Sequence, residues 1–305
     1  MTPTKSGSFH LFRAFGIDVY LHWSWLVIAV YSIQARAHEY SSLVWNVAEY
    51  LGLFVTVLLH EFGHSLACRQ VGGKSDQIVL WPLGGVAYAN PPPRPGATLW
   101  TIAAGPLVNM VLFPLFFALT LLTGQLGWEG THPDFYRFLE TLTWINGILL
   151  VFNLLPIYPL DGGQILQSLL WFVFGRARSL LVATVIGFVG VAGLFGWAIY
   201  TRSVWNGVMS AFIFMNCWQG FKYARGLLRL ERIPRRSGYA CPACGKPPVA
   251  GAIWPCPSCG TPNDIFATNG VCPQCQVIAD VAGCPDCGTA SPVSLWRKRP
   301  PPPPR

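Results

Sequence analysis

The sequence predicts an α-helical polytopic membrane protein with about six transmembrane helices, a small membrane-associated β element and a C-terminal zinc-ribbon domain. Three observations predict this fold class. Hydrophobic residues make up 52% of the 305 residues and charged residues only 11%, a balance unlike that of soluble globular domains. Histidine and glutamate stand within a long apolar segment. Eight of the ten cysteines form four C-x-x-C pairs after residue 240.

The N-terminal region is predicted to be a short tail, residues 1–16, followed by a first apolar segment at residues 17–33. Trp23 and Trp25 stand near the start of that segment, as expected for aromatic anchors at a membrane boundary, and His22 is expected at the same boundary. The tail contains no apolar core, and no clear small-residue cleavage site follows it. No cleavable signal peptide is therefore expected.

The second apolar segment, residues 43–69, contains an H-E-x-x-H motif formed by His60, Glu61 and His64. On a helix, positions four apart lie on one face, so the two imidazoles can reach a single metal ion. Glu61 lies beside the first imidazole, where a carboxylate can accept a proton from a water molecule on the metal. Ionisable groups inside an apolar helix are costly and usually functional, so the motif predicts a zinc site rather than a chance pattern.

Residues 78–89 read IVLWPLGGVAYA, which is too short to span a membrane as a helix. The Pro-Leu-Gly-Gly sequence at residues 82–85 also breaks a helix. β-branched residues around a glycine pair predict a strand or hairpin in or beside the membrane, whereas the plainer interpretation is a connecting loop.

The third and fourth apolar segments, residues 97–122 and 142–155, carry polar residues into the membrane. Asn109 in the third segment can bond a neighbouring helix or take part in an active site. The fourth segment runs into NLLPIYPLDGG, whose prolines break the helix at membrane depth. Such breaks are tolerated where the backbone lines a wet cavity, so Asp161 is the best candidate for a third metal ligand. Cys68, one turn beyond the H-E-x-x-H motif, is the alternative, although a buried packing role suits it better.

Two further apolar segments, residues 180–200 and 204–218, complete six predicted spans. With a cytoplasmic N-terminus, the basic residues of the tail, of two loops and of a basic linker at residues 221–239 lie inside, in agreement with the positive-inside rule. We therefore expect a multi-pass integral protein of the inner cell membrane with both termini in the cytoplasm. The net charge of +8 reflects this distribution and does not indicate a nucleic-acid partner.

The C-terminal domain is predicted at residues 240–290 and contains four C-P-x-C pairs, each able to present two thiolates to one metal ion. The pairs are Cys241 and Cys244, Cys256 and Cys259, Cys272 and Cys275, and Cys284 and Cys287. In a reducing cytosol this pattern favours two structural four-cysteine zinc sites over disulfides. Sequential pairing closes the shortest loops, and crossed pairing stays open. So small a domain needs metal to fold, and the basic, proline-rich tail at residues 291–305 is expected to be disordered.

Taken in order, these motifs resemble the site-2 protease family, peptidase family M50, of intramembrane zinc metalloproteases. The resemblance covers residues 10–175 and is carried by HEFGH at 60–64, PLGGVA at 82–87, AGPLVN at 104–109 and NLLPIYPLDGG at 153–163. It implies that His60, His64 and Asp161 bind zinc. It also implies that Glu61 is the catalytic base and that the active site opens towards the cytoplasmic half of the membrane. The cysteine-rich domain lies outside the family's core pattern.

The resemblance implies a zinc metalloendopeptidase domain at residues 17–220 that hydrolyses peptide bonds within or near transmembrane segments, as in regulated intramembrane proteolysis. The expected cofactors are one catalytic and two structural Zn²⁺ ions. The expected partners are transmembrane protein substrates, the lipid bilayer and a cytosolic protein bound by the zinc ribbons. An extended substrate can pair with the strand predicted at residues 78–89. Substrate-contacting residues are expected within the motifs, namely Gly84, Gly85, Asn109 and Asn153.

The alternative function is a non-catalytic membrane receptor or scaffold whose zinc ribbons bind a cytosolic partner. Under that hypothesis the H-E-x-x-H motif would serve only to hold a metal ion. The intact Glu61 argues against it, because a metal site without chemistry has no need of a proton acceptor.

Overall fold

The computed structural model describes residues 7–36, 38–81 and 84–296, and it divides the chain into two compact units, Met1–Phe221 and Lys222–Arg305. The first unit combines a four-stranded sheet with a set of helices. Its elements in chain order are β1 (Ser8–Ala14), β2 (Ile17–His22), α1 (Ser24–Ala35), α2 (Leu43–Gln70), β3 (Lys74–Trp81), β4 (Gly84–Asn90), α3 (Pro95–Gln125), α4 (Trp128–Thr131), α5 (Pro133–Leu154), α6 (Asp161–Phe174), α7 (Arg176–Tyr200) and the first part of α8 (Val204–Arg232), whose residues after Phe221 belong to the second unit.

The sheet has the order β1-β2-β3-β4, with β2 and β3 parallel and both outer pairs antiparallel. The hairpin predicted within residues 78–89 is confirmed as β3 and β4. The prediction of an N-terminal tail is wrong for residues 8–14, which form β1, and residues 1–6 lie outside the described part of the chain. The missed signal is the alternation of apolar and polar residues along β2, IDVYLH, which has the period of two of a strand.

The predicted span at residues 17–33 is also wrong, because its first part is β2 and only α1 is helical. α1 has 12 residues, which give about 18 Å of helix against a hydrocarbon core of about 30 Å. Trp25 is buried on α2 and Trp23 is exposed. Within the described residues, α2, α3 and α7 are long and apolar enough to span a membrane, so the predicted count of about six is not confirmed.

The helix that carries the H-E-x-x-H motif, α2, has defined ends. The hydroxyl of Ser42 accepts a hydrogen bond from the backbone nitrogen of Val44 and caps its N-terminus. Arg69 stands in its last turn, where a cation interacts favourably with the helix dipole. α2 packs against α3, α5 and the apolar face of the sheet, and Leu58 joins Val19 and Ile78 in one core cluster. The centre of α2 is therefore enclosed on several sides.

The segment between α5 and α6 is held deep in the first unit. Ile157 is buried against Val191 of α7 and Ile213 of α8. Two glycines open α6 and let its first turn approach this segment. A Cβ at Gly162 would meet the carbonyl oxygen of Leu154, and one at Gly163 would meet the main chain at residues 157 and 158. The Asp-Gly-Gly sequence thus fixes where the N-terminus of α6, and with it Asp161, must lie.

The second unit is built from short strands around a small core. β5 (Trp254–Pro255) pairs with β6 (Pro262–Asn263), and β7 (Val281–Gly283) pairs with β8 (Ala290–Pro292). The core contains Trp254, Phe266 and Trp296. The rings of Tyr239, Trp254 and Trp296 all lie at centroid distances of 5.1 Å from Phe266, which gives the unit a compact aromatic centre.

Both predicted edges of this domain need correction. The basic linker at residues 221–239 is not irregular, because α8 continues to Arg232 and the backbone of Arg236 donates to the carbonyl of Pro248. The tail prediction is wrong for residues 291–296, which lie in β8 and a 3-10 helix that ends in the fully buried Trp296. Residues 297–305 lie outside the described part of the chain.

Candidate active site and metal centres

Three side chains converge at the centre of the first unit. The Nε2 atoms of His60 and His64 on α2 lie 3.0 Å apart. The Oδ2 atom of Asp161, the first residue of α6, lies 3.1 Å from the first nitrogen and 3.4 Å from the second. All three side chains are buried. The structure therefore brings together the three predicted ligands, although Asp161 is far from the two histidines in sequence.

The hydrogen bonds around the imidazoles fit a metal ion. The Nδ1 atom of His60 donates to Oδ1 of Asn109 at 2.6 Å, and that of His64 donates to the carbonyl oxygen of Thr101 at 2.9 Å. With the proton on each Nδ1, both Nε2 atoms carry lone pairs and neither can donate to the other. A cation between them satisfies both nitrogens and the Asp161 carboxylate, whose Oδ2 has no hydrogen-bond donor.

The distances fit zinc in particular. Zinc bonds of about 2.0–2.1 Å in a tetrahedral arrangement place neighbouring ligand atoms about 3.3 Å apart. The three observed separations of 3.0, 3.1 and 3.4 Å lie around this value. His60, His64 and Asp161 would thus supply three ligands and leave a fourth position for water or substrate.

A chain of buried amides supports the first imidazole. Asn109 of α3 accepts from His60 and donates through its Nδ2 to Oδ1 of Asn146 on α5 at 2.6 Å. Asn146 in turn donates to the carbonyl oxygen of Asn109 at 2.9 Å. Asn146 and the carbonyl of Thr101 were not among the residues predicted from the sequence. An asparagine within the apolar sequence of α5 was the available signal for Asn146; a backbone carbonyl gives none.

α3 approaches the histidines closely because Gly105 has no side chain. A Cβ at this position would overlap the ring of His64 and lie 2.8 Å from Nε2 of His60. The glycine of the Ala-Gly-Pro sequence in α3 is therefore required by packing against the ligands. This glycine is part of the metal site although it offers no ligand atom.

Glu61 lies beneath the sheet. Its side chain is buried, and its Oε2 accepts a hydrogen bond from the backbone nitrogen of Ala87 in β4 at 2.9 Å. A Cβ at Gly85 would overlap the Glu61 carboxylate. β4 thus passes directly over the carboxylate and fixes its orientation beside the metal ligands.

The remaining candidate residues have different positions. Asn109 is fully buried and positions His60, and its contact with a substrate stays a prediction. Gly85 lies against Glu61, Gly84 pairs with Trp81 at the start of β4, and Asn153 is half-buried near the end of α5.

Two further residues considered from the sequence lie outside the cluster of three ligands. The thiol of Cys68 is buried and donates to the carbonyl oxygen of Lys74 at 3.6 Å, which agrees with a packing role. His22 bonds to Ser24 and stacks on Trp81.

The eight cysteines of the second unit form two clusters of four. Cys241 and Cys244 join Cys284 and Cys287, while Cys256 and Cys259 join Cys272 and Cys275. Four sulfur–sulfur distances across the clusters are 3.5–3.8 Å. Tetrahedral zinc with bonds of about 2.3 Å separates its sulfurs by about 3.8 Å, whereas a disulfide bond is about 2.05 Å long. The separations therefore fit two zinc sites.

The cluster pairing is nested rather than sequential. The first knuckle meets the fourth because the backbone nitrogen of Ala240 donates to the carbonyl oxygen of Trp296 at 2.7 Å, which brings the two ends of the unit together. Arg235 strengthens this closure through two hydrogen bonds to Asp286, at 2.7 and 3.0 Å. The expectation based on the shortest loops is thus not the observed arrangement.

Three of the clustered thiols have a lowered pKa, Cys259 and Cys272 in one cluster and Cys287 in the other. The hydroxyl and backbone nitrogen of Thr261 lower the pKa of Cys259 to about 6. Burial raises the pKa of Cys287, but hydrogen bonds from Thr289 outweigh it and lower the value to about 7. Zinc binds the thiolate form, so these threonines favour the protonation state that a ligand needs.

The chain is similar to known peptidases over its central part. The family model described as Peptidase family M50 matches residues 48–128 and 128–197. A zinc metalloprotease of Methanocaldococcus jannaschii is 35% identical over 180 residues, which are 59% of this chain and 50% of that protein. The stage IV sporulation protein FB of Bacillus subtilis is 28% identical over 179 residues, which are 57% of this chain and 58% of that protein. The chain spans about half the length of the curated relatives it matches.

A solved structure has a similar fold. The site-2 protease from Methanocaldococcus jannaschii matches with a TM-score of 0.51 and 27% sequence identity, covering 70% of this chain and 95% of that chain. This similarity and the three apolar helices of the first unit identify an integral membrane protein.

Proposed function

The chain belongs to peptidase family M50, and on that premise we propose that it is a zinc metalloendopeptidase that cleaves peptide bonds within or near the transmembrane segments of membrane proteins. The observation that carries the proposal is the arrangement of His60, His64 and Asp161 with the Glu61 carboxylate beside them. A metal scaffold would need the ligands alone. A buried carboxylate next to them, oriented by a backbone hydrogen bond, is what hydrolysis needs in addition.

When bound, zinc supplies Lewis-acid chemistry, which acidifies water and polarises a carbonyl group. His60, His64 and Asp161 hold the ion, and the amides behind His60 keep its ring in the correct tautomer. Glu61 takes the proton of the attacking water and passes it to the leaving amine. The hydrogen bond from Ala87 keeps the carboxylate aimed while it exchanges that proton.

β4 offers a place for the substrate. It is an edge of the four-stranded sheet, and one of its backbone N–H groups, that of Ala87, points at Glu61. A substrate segment that unwinds and adds to this edge would bring its backbone close to the carboxylate. We assign Gly84 and Gly85 to this contact and Asn153 to the rim of the site, and we assign Asn109 to positioning His60.

The test of the activity is cleavage of a transmembrane substrate by the purified chain in lipid vesicles. Glu61→Gln should retain zinc but lose about 10²–10⁴-fold in turnover, because only the proton transfer is lost. Glu129→Gln, a change of an exposed glutamate on α4, is the matched control and should leave turnover unaltered. Substantial turnover by zinc-loaded Glu61→Gln would refute the assignment. A zinc-loaded wild-type chain that cleaves no membrane substrate would favour the receptor or scaffold.

We assign structural zinc ions to the two four-cysteine clusters and a regulatory or recruiting role to the second unit. With both termini on the cytoplasmic side of the inner membrane, the second unit would contact cytosolic proteins and the cytosolic ends of substrates. It adds nothing to hydrolysis, so recruitment or regulation of substrates is the function left to it. Three zinc ions per chain, one of them catalytic, follow from the three ligand clusters.

Truncation after Arg232 tests this role, because it keeps α8 and removes all eight clustered cysteines. Metal content should fall from about three zinc ions to about one, by the four-ligand stoichiometry of each cysteine cluster. Cleavage of a generic unfolded membrane segment should persist, while cleavage of the native substrate should change. Unaltered processing of the native substrate in cells would exclude recruitment by this unit.

A further inference from the structure

We propose that the β1–β2 hairpin is an interfacial membrane anchor, in which Phe9, Phe12 and the tip residue Phe15 contact lipid while the opposite face of the hairpin remains in water. The proposed partner is the lipid surface of the bilayer. The inference concerns where the sheet lies in the membrane and does not depend on catalysis.

The register of the hairpin gives it one apolar and one polar face. Phe9 pairs with Leu21 and Phe12 with Val19, so these four side chains share a face. Val19 is fully buried in the cluster beneath α2, yet Phe9 is 57% exposed and Phe12 is 40% exposed. The apolar face of the sheet therefore continues past the helix that covers it. β1 is the edge strand on this side, and within the described part of the chain its phenylalanines extend the apolar face outwards and stay exposed.

The opposite face of β1 is polar. His10 pairs with Tyr20 in the register and contacts its ring edge-on at a centroid distance of 5.3 Å. Asp18 accepts from His10 at 3.3 Å and lies 3.7 Å from Nε of Arg13. A strand with phenylalanine on one face and charged groups on the other has the amphipathic pattern of elements that lie in a membrane interface.

The hairpin tip adds an unusual choice of residue. Phe15 has φ +52° and is followed by Gly16 with φ +72°, a turn that favours asparagine or aspartate before the glycine. A bulky residue in the left-handed region is rare, and here its ring is 76% exposed. The backbone therefore does not explain the phenylalanine, whereas contact of its ring with lipid does.

The tip is fixed to a membrane helix, which selects lipid as the partner. Arg69, in the last turn of α2, donates to the carbonyl oxygens of Phe15 at 2.5 Å and Gly16 at 3.0 Å. The ring of Phe15 also lies edge-on to Phe62 of α2 at a centroid distance of 6.1 Å. Because α2 is a candidate membrane span, these contacts hold the hairpin tip against a helix that would itself contact lipid.

Photocrosslinking in vesicles tests the proposal. Benzoylphenylalanine is introduced at Phe12 and, as the matched control on the same strand, at His10. The full chain is reconstituted in vesicles of phosphatidylcholine and phosphatidylglycerol and irradiated. Adducts are then identified by intact-protein mass spectrometry. The same probe would face lipid at position 12 and water at position 10. We expect about tenfold more phospholipid adduct at position 12, because burial of an aromatic ring favours contact with lipid by roughly that factor. Positions 9 and 13 should repeat the contrast.

Three results would overturn the proposal. Equal amounts of lipid adduct at positions 12 and 10 would show that the two faces of the hairpin do not differ in their contact with lipid. No lipid adduct at position 12 would show that the face is in water. Protein–protein adducts at position 12 in place of lipid would show that a second copy or another protein covers it. Zinc content of each labelled chain, measured in the same preparation, verifies that the chain is folded.

Discussion

The metal site of the first unit and the two clusters of the second unit differ in what holds their ligands. His60 and His64 belong to a helix of 28 residues that is packed on several sides, and their ring nitrogens are fixed by Asn109 and the carbonyl of Thr101. The cysteines belong to four tight knuckles joined by strands of two or three residues. The packed helices of the first unit hold its metal ligands in position. In the second unit, which has little secondary structure, the metal clusters themselves would hold the chain together.

This difference indicates whether metal binding contributes to the folding free energy of each unit. The three helices around the histidines bury their own side chains and amides, so the ligand positions exist before zinc arrives. The core of the second unit is small, and cores of this size rarely supply more than about 3–5 kcal/mol. We therefore expect zinc to be a catalytic cofactor in the first unit and a structural ion in the second.

Removal of metal should give the largest contrast between the two units. A chelator should unfold residues 233–296, because the apparent binding free energy of structural zinc, about 10–16 kcal/mol, is folding free energy in such domains. α2, α3 and α5 should stay folded while activity disappears, since their packing does not pass through the metal. Amide hydrogen exchange of the vesicle-bound chain measures both. The contrast between the units would be refuted if the amide hydrogens of the second unit stayed protected from exchange after chelation. It would also be refuted if the helices around the histidines lost their protection.

Gly105→Ala should separate metal binding from helix stability. Alanine favours the helical state over glycine by about 1 kcal/mol, so α3 should be at least as stable. Its Cβ would overlap the ring of His64, and such overpacking costs about 1–3 kcal/mol, so zinc affinity should fall by about 30-fold, the value for the middle of that range. Competitive chelation measures the affinity and thermal unfolding the stability.

Gly96→Ala is the control for this experiment, because it lies in the same helix and its Cβ would meet only the ring of Phe172, at 3.8 Å. It should gain the helical preference and keep full zinc affinity. Unaltered affinity of Gly105→Ala would mean that the histidines have room that the structure does not show.

Asn146→Ala should give the smallest of the three effects. It leaves every ligand in place and removes only the amide that holds Asn109, which in turn orients His60. Loss of such outer partners costs about 10–100-fold in metal affinity, and we expect the lower end because the bond to His60 survives. Asn153→Ala on the same helix should not alter zinc affinity. A loss equal to that of Gly105→Ala would show that the asparagine pair does more than orient one ring.

Predictions from the sequence hold where the spacing of residues fixes their geometry. The i, i+4 histidines share a face on any helix, and a C-P-x-C knuckle presents two thiolates in any fold. Such predictions fail at the N-terminus, where β2 is apolar enough to be read as the start of a helix, and at the ends of the second unit. Arg236 and Trp296 lie in polar, proline-rich surroundings, yet both are held by distant residues that no local pattern reveals.

The sequence by itself determined the chemistry: two histidines and a glutamate on one helix, an aspartate before a glycine pair, and eight thiols in four pairs. Only the tertiary structure decided which of these groups meet. It placed Asp161 against the histidines, laid β4 over Glu61, set Asn146 behind Asn109 and joined the first cysteine knuckle to the fourth. The reason is physical: spacing fixes geometry within one element, whereas contacts between elements depend on how whole faces pack and on glycines such as Gly105 that let backbones approach.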